Sequence, residues 1–471
     1  MVGGVLVGGC TMTPKKRRPA APIPANWPSG VAYAGTQATT NLPLASDLGW
    51  QEFFTDEKLR QVISLALTNN RDLRLAALNV ERARALYGIQ RTELFPVLNA
   101  NGSGTKARVP ADLSSSGRRQ TVERYDANLG VAAWEIDFFG RIRSLKDSAL
   151  ESYLGTEQAR RSAQILLVSS VAQSYLALAA DREALALAET TLASQQSSYD
   201  LIKRRFDLGL VAELDLLRAQ TPLDVARRDV AIYRQQVAQD ENALNLLAGA
   251  PLPEELLPAG LDGVSPPQQV TAGLSSEVLL RRPDVLQAEH QLKAANADIG
   301  AARAAFFPRI SLTAAMGTSS SDLSGLFKSG SGVWSYAPQM VMPIFDARTW
   351  SAHTAAKVQR EIAVTQYEQA IRVAFREVAD ALAARGTVGE QVAAQQSLVK
   401  AFADTYRLAQ SRFDKGIDSY LGVLDAQRSL FAAQQALVFL RFQKCANDVQ
   451  LYAVLGGGEQ TSTPSDLATS R

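Results

Sequence analysis

The residues able to do chemistry are few and scattered. Two histidines, His290 and His353, stand more than 60 positions apart without Cys, Asp or Glu at metal-ligand spacing, so no metal centre is expected and both read as structural. Gly102-Ser103-Gly104 lacks the third glycine and the strand-to-helix context of a phosphate loop, and fits a strand of small residues better. Five methionines form no copper-like cluster. No nucleophile can be matched with a base, so neither a catalytic residue nor a cofactor is expected. The two cysteines, Cys10 and Cys445, lie at opposite ends of the chain, which excludes a disulfide framework. Cys445, within Phe442 to Leu451, reads as a small buried hydrophobe.

Cys10 differs, because it closes Leu6-Val7-Gly8-Gly9-Cys10, an apolar run ending in small residues with the form of a lipobox. The chemistry this predicts is acylation, with the acyl chains anchoring the protein to one leaflet. The plainer alternative is an ordinary apolar stub. Residues 1–9 are then a truncated lipoprotein signal segment: nine residues without a positively charged start, so the true start is expected upstream. Residues 10–56 are expected to be a lipidated tether, extended over the Pro-rich basic stretch Pro14 to Pro28.

Composition narrows the function further. Lys plus Arg number 49 and Asp plus Glu 47, a net charge of +2 that lacks the footprint of nucleic-acid binding. Hydrophobic residues make up 46 %, yet no uninterrupted apolar run approaches the roughly 18 residues of a spanning helix. Any membrane crossing is expected to use strands.

An internal duplication organises the 471 residues. Arg205-Phe206-Asp207-Leu208-Gly209 with Leu217-Arg218-Ala219-Gln220 returns as Arg412-Phe413-Asp414-Lys415-Gly416 with Leu424-Asp425-Ala426-Gln427, at an offset of 207. Leu94-Phe95-Pro96-Val97-Leu98 returns as Phe306-Phe307-Pro308-Arg309-Ile310, at an offset of 212, which puts a longer loop in the first copy. The first repeat is expected over 57–248 and the second over 275–455, joined by a linker over 249–274 and followed by a tail over 456–471.

Each repeat reads as helix, strand, loop, strand, very long helix, turn, helix. Arg141 to Leu208 is rich in Ala, Leu, Gln, Glu and Arg, so one helix is expected over 141–208; at 1.5 Å per residue it would span roughly 100 Å. Val168, Val171, Tyr175, Leu178, Leu185 and Leu192 recur at coiled-coil spacings. Its counterpart is 349–415, and return helices are expected over 211–248 and 417–455. Strands are expected near 95–106, 123–137, 307–318 and 333–345. Tyr125, Ala127, Leu129, Val131 and Ala133 would form an apolar face opposite Asp126 and Asn128, and Ile310, Leu312, Ala314 and Met316 alternate likewise with Ser311 and Thr313. Trp334 and Tyr336 suit a membrane interface. Four strands cannot close a membrane barrel, so several copies are required.

The run Leu279-Leu280-Arg281-Arg282-Pro283-Asp284-Val285, continuing through Ala288-Glu289-His290-Gln291-Leu292 to Ala302-Arg303-Ala304-Ala305-Phe306-Phe307-Pro308, resembles the outer-membrane efflux (TolC-like) lipoproteins of OprM and NodT type. Trp134-Glu135-Ile136-Asp137-Phe138-Phe139-Gly140-Arg141 fits the same group. The resemblance implies a mainly α fold with membrane β: a homotrimer with a twelve-stranded barrel, four strands per chain, continued by a long periplasmic helical barrel. It implies export of small molecules through an outer-membrane channel, with a periplasmic adaptor (membrane fusion) protein and an inner-membrane pump, taken as RND type, as partners alongside outer-membrane lipid. The docking tips would be Gly209, Leu210 and Val211 with Gly416 and Ile417, although each glycine is equally explained as a helix C-cap.

The same resemblance assigns a gate. Asp425 matches a family gate aspartate, whereas Gly422 stands where relatives carry a second one. Asp215 and Arg218 occupy the corresponding places in the first repeat, and Asp418 and Arg205 are close enough in sequence to join an ion-pair network. The alternative for Asp425 is a solvated helix-face charge. Two rival functions stand beside the channel: a lipid-anchored periplasmic scaffold, which leaves the paired alternating segments unexplained, and an envelope hydrolase, for which no catalytic set exists.

Overall fold

The computed structural model describes residues 11–15, 18–34, 42–273 and 275–458. Cys10, the expected lipid attachment point, lies outside these, as does the signal segment 1–9. The chain forms two compact units, each drawing on both repeats. The first comprises residues 1–20, 79–157 and 287–367, and the second 21–78, 158–286 and 368–471.

The first unit carries a four-stranded antiparallel sheet in the order β1 (Leu98–Val109), β2 (Gln120–Ile136), β3 (Arg309–Ser320), β4 (Gly332–Val341). Alternation of apolar and polar residues holds the register, because a slip of one residue would exchange the two faces. The alternation expected through Ala133 fails. Pairing shifts between Val131, opposite Ala314, and Trp134, opposite Leu312, with one extra residue on β2. Ala133 takes a φ of 49° and donates its N–H to Thr313 Oγ1 at 3.1 Å. This β-bulge returns Trp134 and Ile136 to register with Leu312 and Ile310.

Four helices continue the strands: α3 (Arg71–Thr92), α4 (Arg141–Asp207), α6 (Pro283–Ala304) and α7 (Ala347–Asp414). In the first unit, a Cβ added to Gly300 of α6 would come within 2.4 Å of Thr13 Oγ1 and 2.7 Å of Ser144 Oγ, so only glycine lets residue 13 pass. Arg18 donates to the Tyr367 hydroxyl at 3.0 Å and pairs with Glu289 at 2.9 Å. His290 meets Glu151 at 2.8 Å across this unit.

The second unit also holds residues 21–34 and 42–53 of the N-terminal stretch against its helices. Trp27 stacks on Phe375 with ring centroids 5.5 Å apart, and Ser276 donates to the Pro24 carbonyl at 2.6 Å. The short helix α1 (Trp50–Phe53) buries Trp50 and Phe53, and the Phe53 ring stacks on Tyr452 at 3.8 Å. The extended tether expected over 10–56 is therefore corrected wherever it is described: the half-buried Trp27 and the buried Trp50 and Phe53 anchor it against the Pro-rich composition, since covering them removes apolar area from water.

The opening helix expected from 57 is two helices. Asp56 caps α2 (Glu57–Asn69) by accepting from Leu59 N–H at 2.8 Å, and Asn70 breaks it and caps α3 by accepting from Leu73 N–H at 2.9 Å. The return helices are α5 (Glu213–Ala248) and α8 (Tyr420–Val454). α4 runs unbroken for 67 residues, roughly 100 Å, and Val168, Val171, Tyr175 and Leu178 form the second unit's core. α4 also contains an 18-residue window whose mean hydropathy would suffice to cross a membrane, although Ser and Gln interrupt its apolar residues, and 56 % of that window is buried inside the protein. Further along, the buried positions shift to Ala184 and Ala188, leaving Leu185 and Leu192 half-buried.

Candidate functional site

Two regions have a geometry that could serve passage across a membrane, one in each unit. In the first, the ladder sorts the sheet's faces. Ala100, Leu129, Met316 and Trp334 lie in one row, and the next row of that face holds Leu98, Val131, Ala314 and Tyr336. The opposite face carries Asn101, Asn128, Asp126, Ser319, Thr313 and Gln339, with Asn101 donating to Asn128 across the strands at 3.3 Å. Met316, Trp334 and Tyr336 are 70 %, 81 % and 64 % exposed, an apolar surface that water does not stabilise. The outer strands β1 and β4 each leave an edge without a strand partner.

The second region is the pair of turns joining α4 to α5 and α7 to α8. Both are closed by the same device. Gly209, with φ 71°, donates to Phe206 O at 2.8 Å while Leu210 donates to Arg205 O at 2.8 Å. Gly416, with φ 73°, donates to Phe413 O at 2.9 Å while Ile417 donates to Arg412 O at 2.9 Å. This is the Schellman arrangement, and its left-handed residue favours glycine, which has no Cβ to clash. Leu210 and Ile417 project outward, 65 % and 58 % exposed, and Val211 is half-buried.

The charged candidates divide between two places. Asp418 pairs with Arg412 Nε at 2.5 Å, and that hydrogen bond holds its carboxyl below the usual carboxylate range. Arg205, expected in the same network, instead lies over the Phe413 ring at 5.6 Å. The Gly416 turn folds Asp418 back onto the arginine of its own hairpin, leaving Arg205 an aromatic face. Farther along the return helices, Arg218 of α5 and Asp425 of α8 line one cleft of about 440 Å³ with Pro222, Asp229 and Phe431. Asp425 is bound by Arg428 at 2.6 Å, and Asp215 faces Arg218 more loosely at 3.8 Å.

Three contributors were missed by sequence reasoning. Arg428 was signalled by its i,i+3 spacing from Asp425, and Pro222 by being a proline inside a helix, where it removes the bond to the carbonyl of residue 218. Arg412 carried no comparable signal, because its partner lies six residues away across a turn.

A two-faced sheet continued by helices about 100 Å long, closed by duplicated charged turns, defines a membrane duct of TolC-like fold. The model of the outer membrane efflux protein family matches residues 62–250 and 274–457, and the chain belongs to that family. It is 48 % identical to the probable efflux pump outer membrane protein TtgC of Pseudomonas putida, over 99 % of this chain and 97 % of that one. It is 42 % identical to outer membrane protein OprJ of Pseudomonas aeruginosa, over 96 % and 94 %. The open-state structure of the Neisseria gonorrhoeae MtrE outer membrane channel superposes with a TM-score of 0.85 at 37 % identity, covering 95 % of this chain and 98 % of that one. The protein is thus an outer-membrane efflux component with a large periplasmic portion.

Proposed function

We propose that three copies close one twelve-stranded barrel and act, without catalysis, as the exit duct of a tripartite efflux system, with a periplasmic adaptor and an RND-type inner-membrane pump. The observation carrying this reading is the sheet with two open edges and a greasy face. An even-stranded antiparallel sheet joins β4 of one copy to β1 of the next with alternation unbroken, and four strands fall short of the eight needed to close alone. Exposed Leu75, Leu78, Leu86 and Ile89 on α3 support association with further copies. TtgC is named as a probable efflux pump outer membrane protein and OprJ as an outer membrane protein, and that kinship supports efflux of small toxic compounds through this chain. In this reading Cys10 carries the lipid.

Docking to the adaptor is assigned to the tips at Gly209, Leu210, Val211, Gly416 and Ile417, where the exposed Leu210 and Ile417 side chains would be covered by a partner. The gate is assigned to Asp425, Asp215 and Arg218, with Asp418 and Arg205 nearer the turns. Three copies of Asp425 around one lumen would repel unless Arg428 and Arg218 offset them. Single-channel conductance of the purified protein in planar bilayers tests this. A small, rarely open conductance that grows several-fold in Asp425→Ala is expected. No pore from folded protein would overturn the duct, and an unchanged conductance would remove Asp425 from the gate.

A further inference from the structure

The greasy face of the sheet does not end in neutral residues. From the row of Ile310 to that of Thr318 it runs eight residues, about 26 Å at 3.3 Å per residue, close to the apolar band of an outer-membrane barrel. On the same face, toward the β1–β2 turn, Tyr125 lies against Gly104, where an added Cβ would come 3.1 Å from the ring. One row further is Lys106 opposite Glu123, paired at 2.5 Å, and two residues beyond is Arg108 opposite Thr121. Glu123 is already engaged by Lys106 and by the Tyr125 hydroxyl. Arg118 and Arg119 follow in the turn just before β2, whose own carboxylate is Asp112. Arg108, Arg118 and Arg119 make no ion pair among the described residues. The helices leave from the opposite end of the strands, so these cations stand at the outer end of the lipid-facing surface.

We propose that Lys106, Arg108, Arg118 and Arg119 form a binding site for the phosphate groups of an outer-leaflet glycolipid. Its acyl chains would lie along Leu129, Met316 and Trp334, continuing the apolar band, while its phosphates meet the arginine row. Planar guanidinium groups suit bidentate phosphate contacts, and a basic cluster at a membrane surface attracts anionic headgroups. The site rests on the outer-membrane duct reading.

The test compares the full chain in nanodiscs with an Arg108→Gln, Arg118→Gln, Arg119→Gln variant, titrated with bis-phosphorylated lipid A and with its dephosphorylated form. The unaltered protein is expected to bind the phosphorylated lipid on the order of tenfold more tightly than the variant does. The dephosphorylated lipid is expected to bind both proteins equally and weakly. Equal binding of phosphorylated lipid by both proteins would overturn the site, as would a failure of the unaltered chain to distinguish the two lipids. Displacement by inorganic phosphate at comparable concentration would also overturn it, pointing to a simple anion site. Conductance of the same preparations separates the two readings: a pore without lipid discrimination refutes the site alone, whereas no pore in the unaltered chain refutes the duct.

Discussion

The two helical tips share one backbone design and carry different side-chain locks. Both close with a left-handed glycine, Gly209 or Gly416, and the same pair of reversed hydrogen bonds. The second tip is tied across its turn by Arg412 to Asp418 at 2.5 Å, while Arg428 to Asp425 at 2.6 Å lies within α8. Among the described residues the first turn has no counterpart of that cross-turn pair: Asp215 and Arg218, 3.8 Å apart, lie within α5, and Arg205 leans on the other hairpin's Phe413. The return helices differ too: α5 holds Pro222, whereas α8 holds Gly422 and no proline. Duplication thus kept the device that reverses the chain and varied the one that fixes the hairpin. The first turn lacks the cross-turn ion pair of the second, so in the proposed gate opening is expected to begin there.

The largest effect expected from breaking this contrast is at Pro222. Pro222→Ala restores a helical hydrogen bond, so α5 should be stabilised by up to about 3 kcal/mol and the open fraction in conductance traces should fall. A variant that opens as readily as the parent would show that the first hairpin does not lead. Next come the glycines. Gly209→Val and Gly416→Val each force a β-branched residue into the left-handed region, costing about 1–2 kcal/mol, and the two should lower the thermal midpoint alike because the backbone device is shared. Gly422 meets nothing within 4 Å, so Gly422→Ala should stabilise α8 by roughly 1 kcal/mol, raising the midpoint slightly. The smallest effect is one of pH. Asp418 has a depressed carboxyl in the folded protein, so its pairing contributes above the unfolded carboxylate value and is lost as pH falls through the lower folded one. Protection of the second turn against hydrogen exchange, measured relative to the intrinsic rate at each pH, should therefore fall as the medium is acidified past the ordinary carboxylate range. Arg412→Ala should abolish that dependence, and Arg205→Ala should leave it intact.

Much of this was legible in the residues, for definite reasons. Strands with period-two alternation, such as Ile310 to Met316, and proline-free helices of great length signal themselves locally, and the repeated Arg-Phe-Asp-x-Gly placed the turns. The bulge at Ala133 was not legible, because Ala132 and Ala133 carry neither the polarity nor the glycine that marks an irregular strand, and Thr313 is 180 residues away. The packed N-terminal stretch was missed for a similar reason: Trp27 finds its partners at Gly273 and Phe375, far along the chain. At the tips, Asp425 could be read by position, but its pairing with Arg428 needed helical spacing to be applied, and the Arg412 to Asp418 contact needed the turn itself.

The open edges of β1 and β4 also carry a consequence for biogenesis. A lone chain cannot satisfy those backbone groups in hydrocarbon, so it has no stable inserted state to wait in while partners arrive. In the trimer proposed above, insertion becomes a collective event whose rate rises more steeply than linearly with the number of chains present. Helices can form and pack early, one molecule at a time, while the sheet stays uncommitted outside the bilayer. Abundance of the precursor, rather than the intrinsic folding speed of any one copy, then sets how quickly working ducts accumulate.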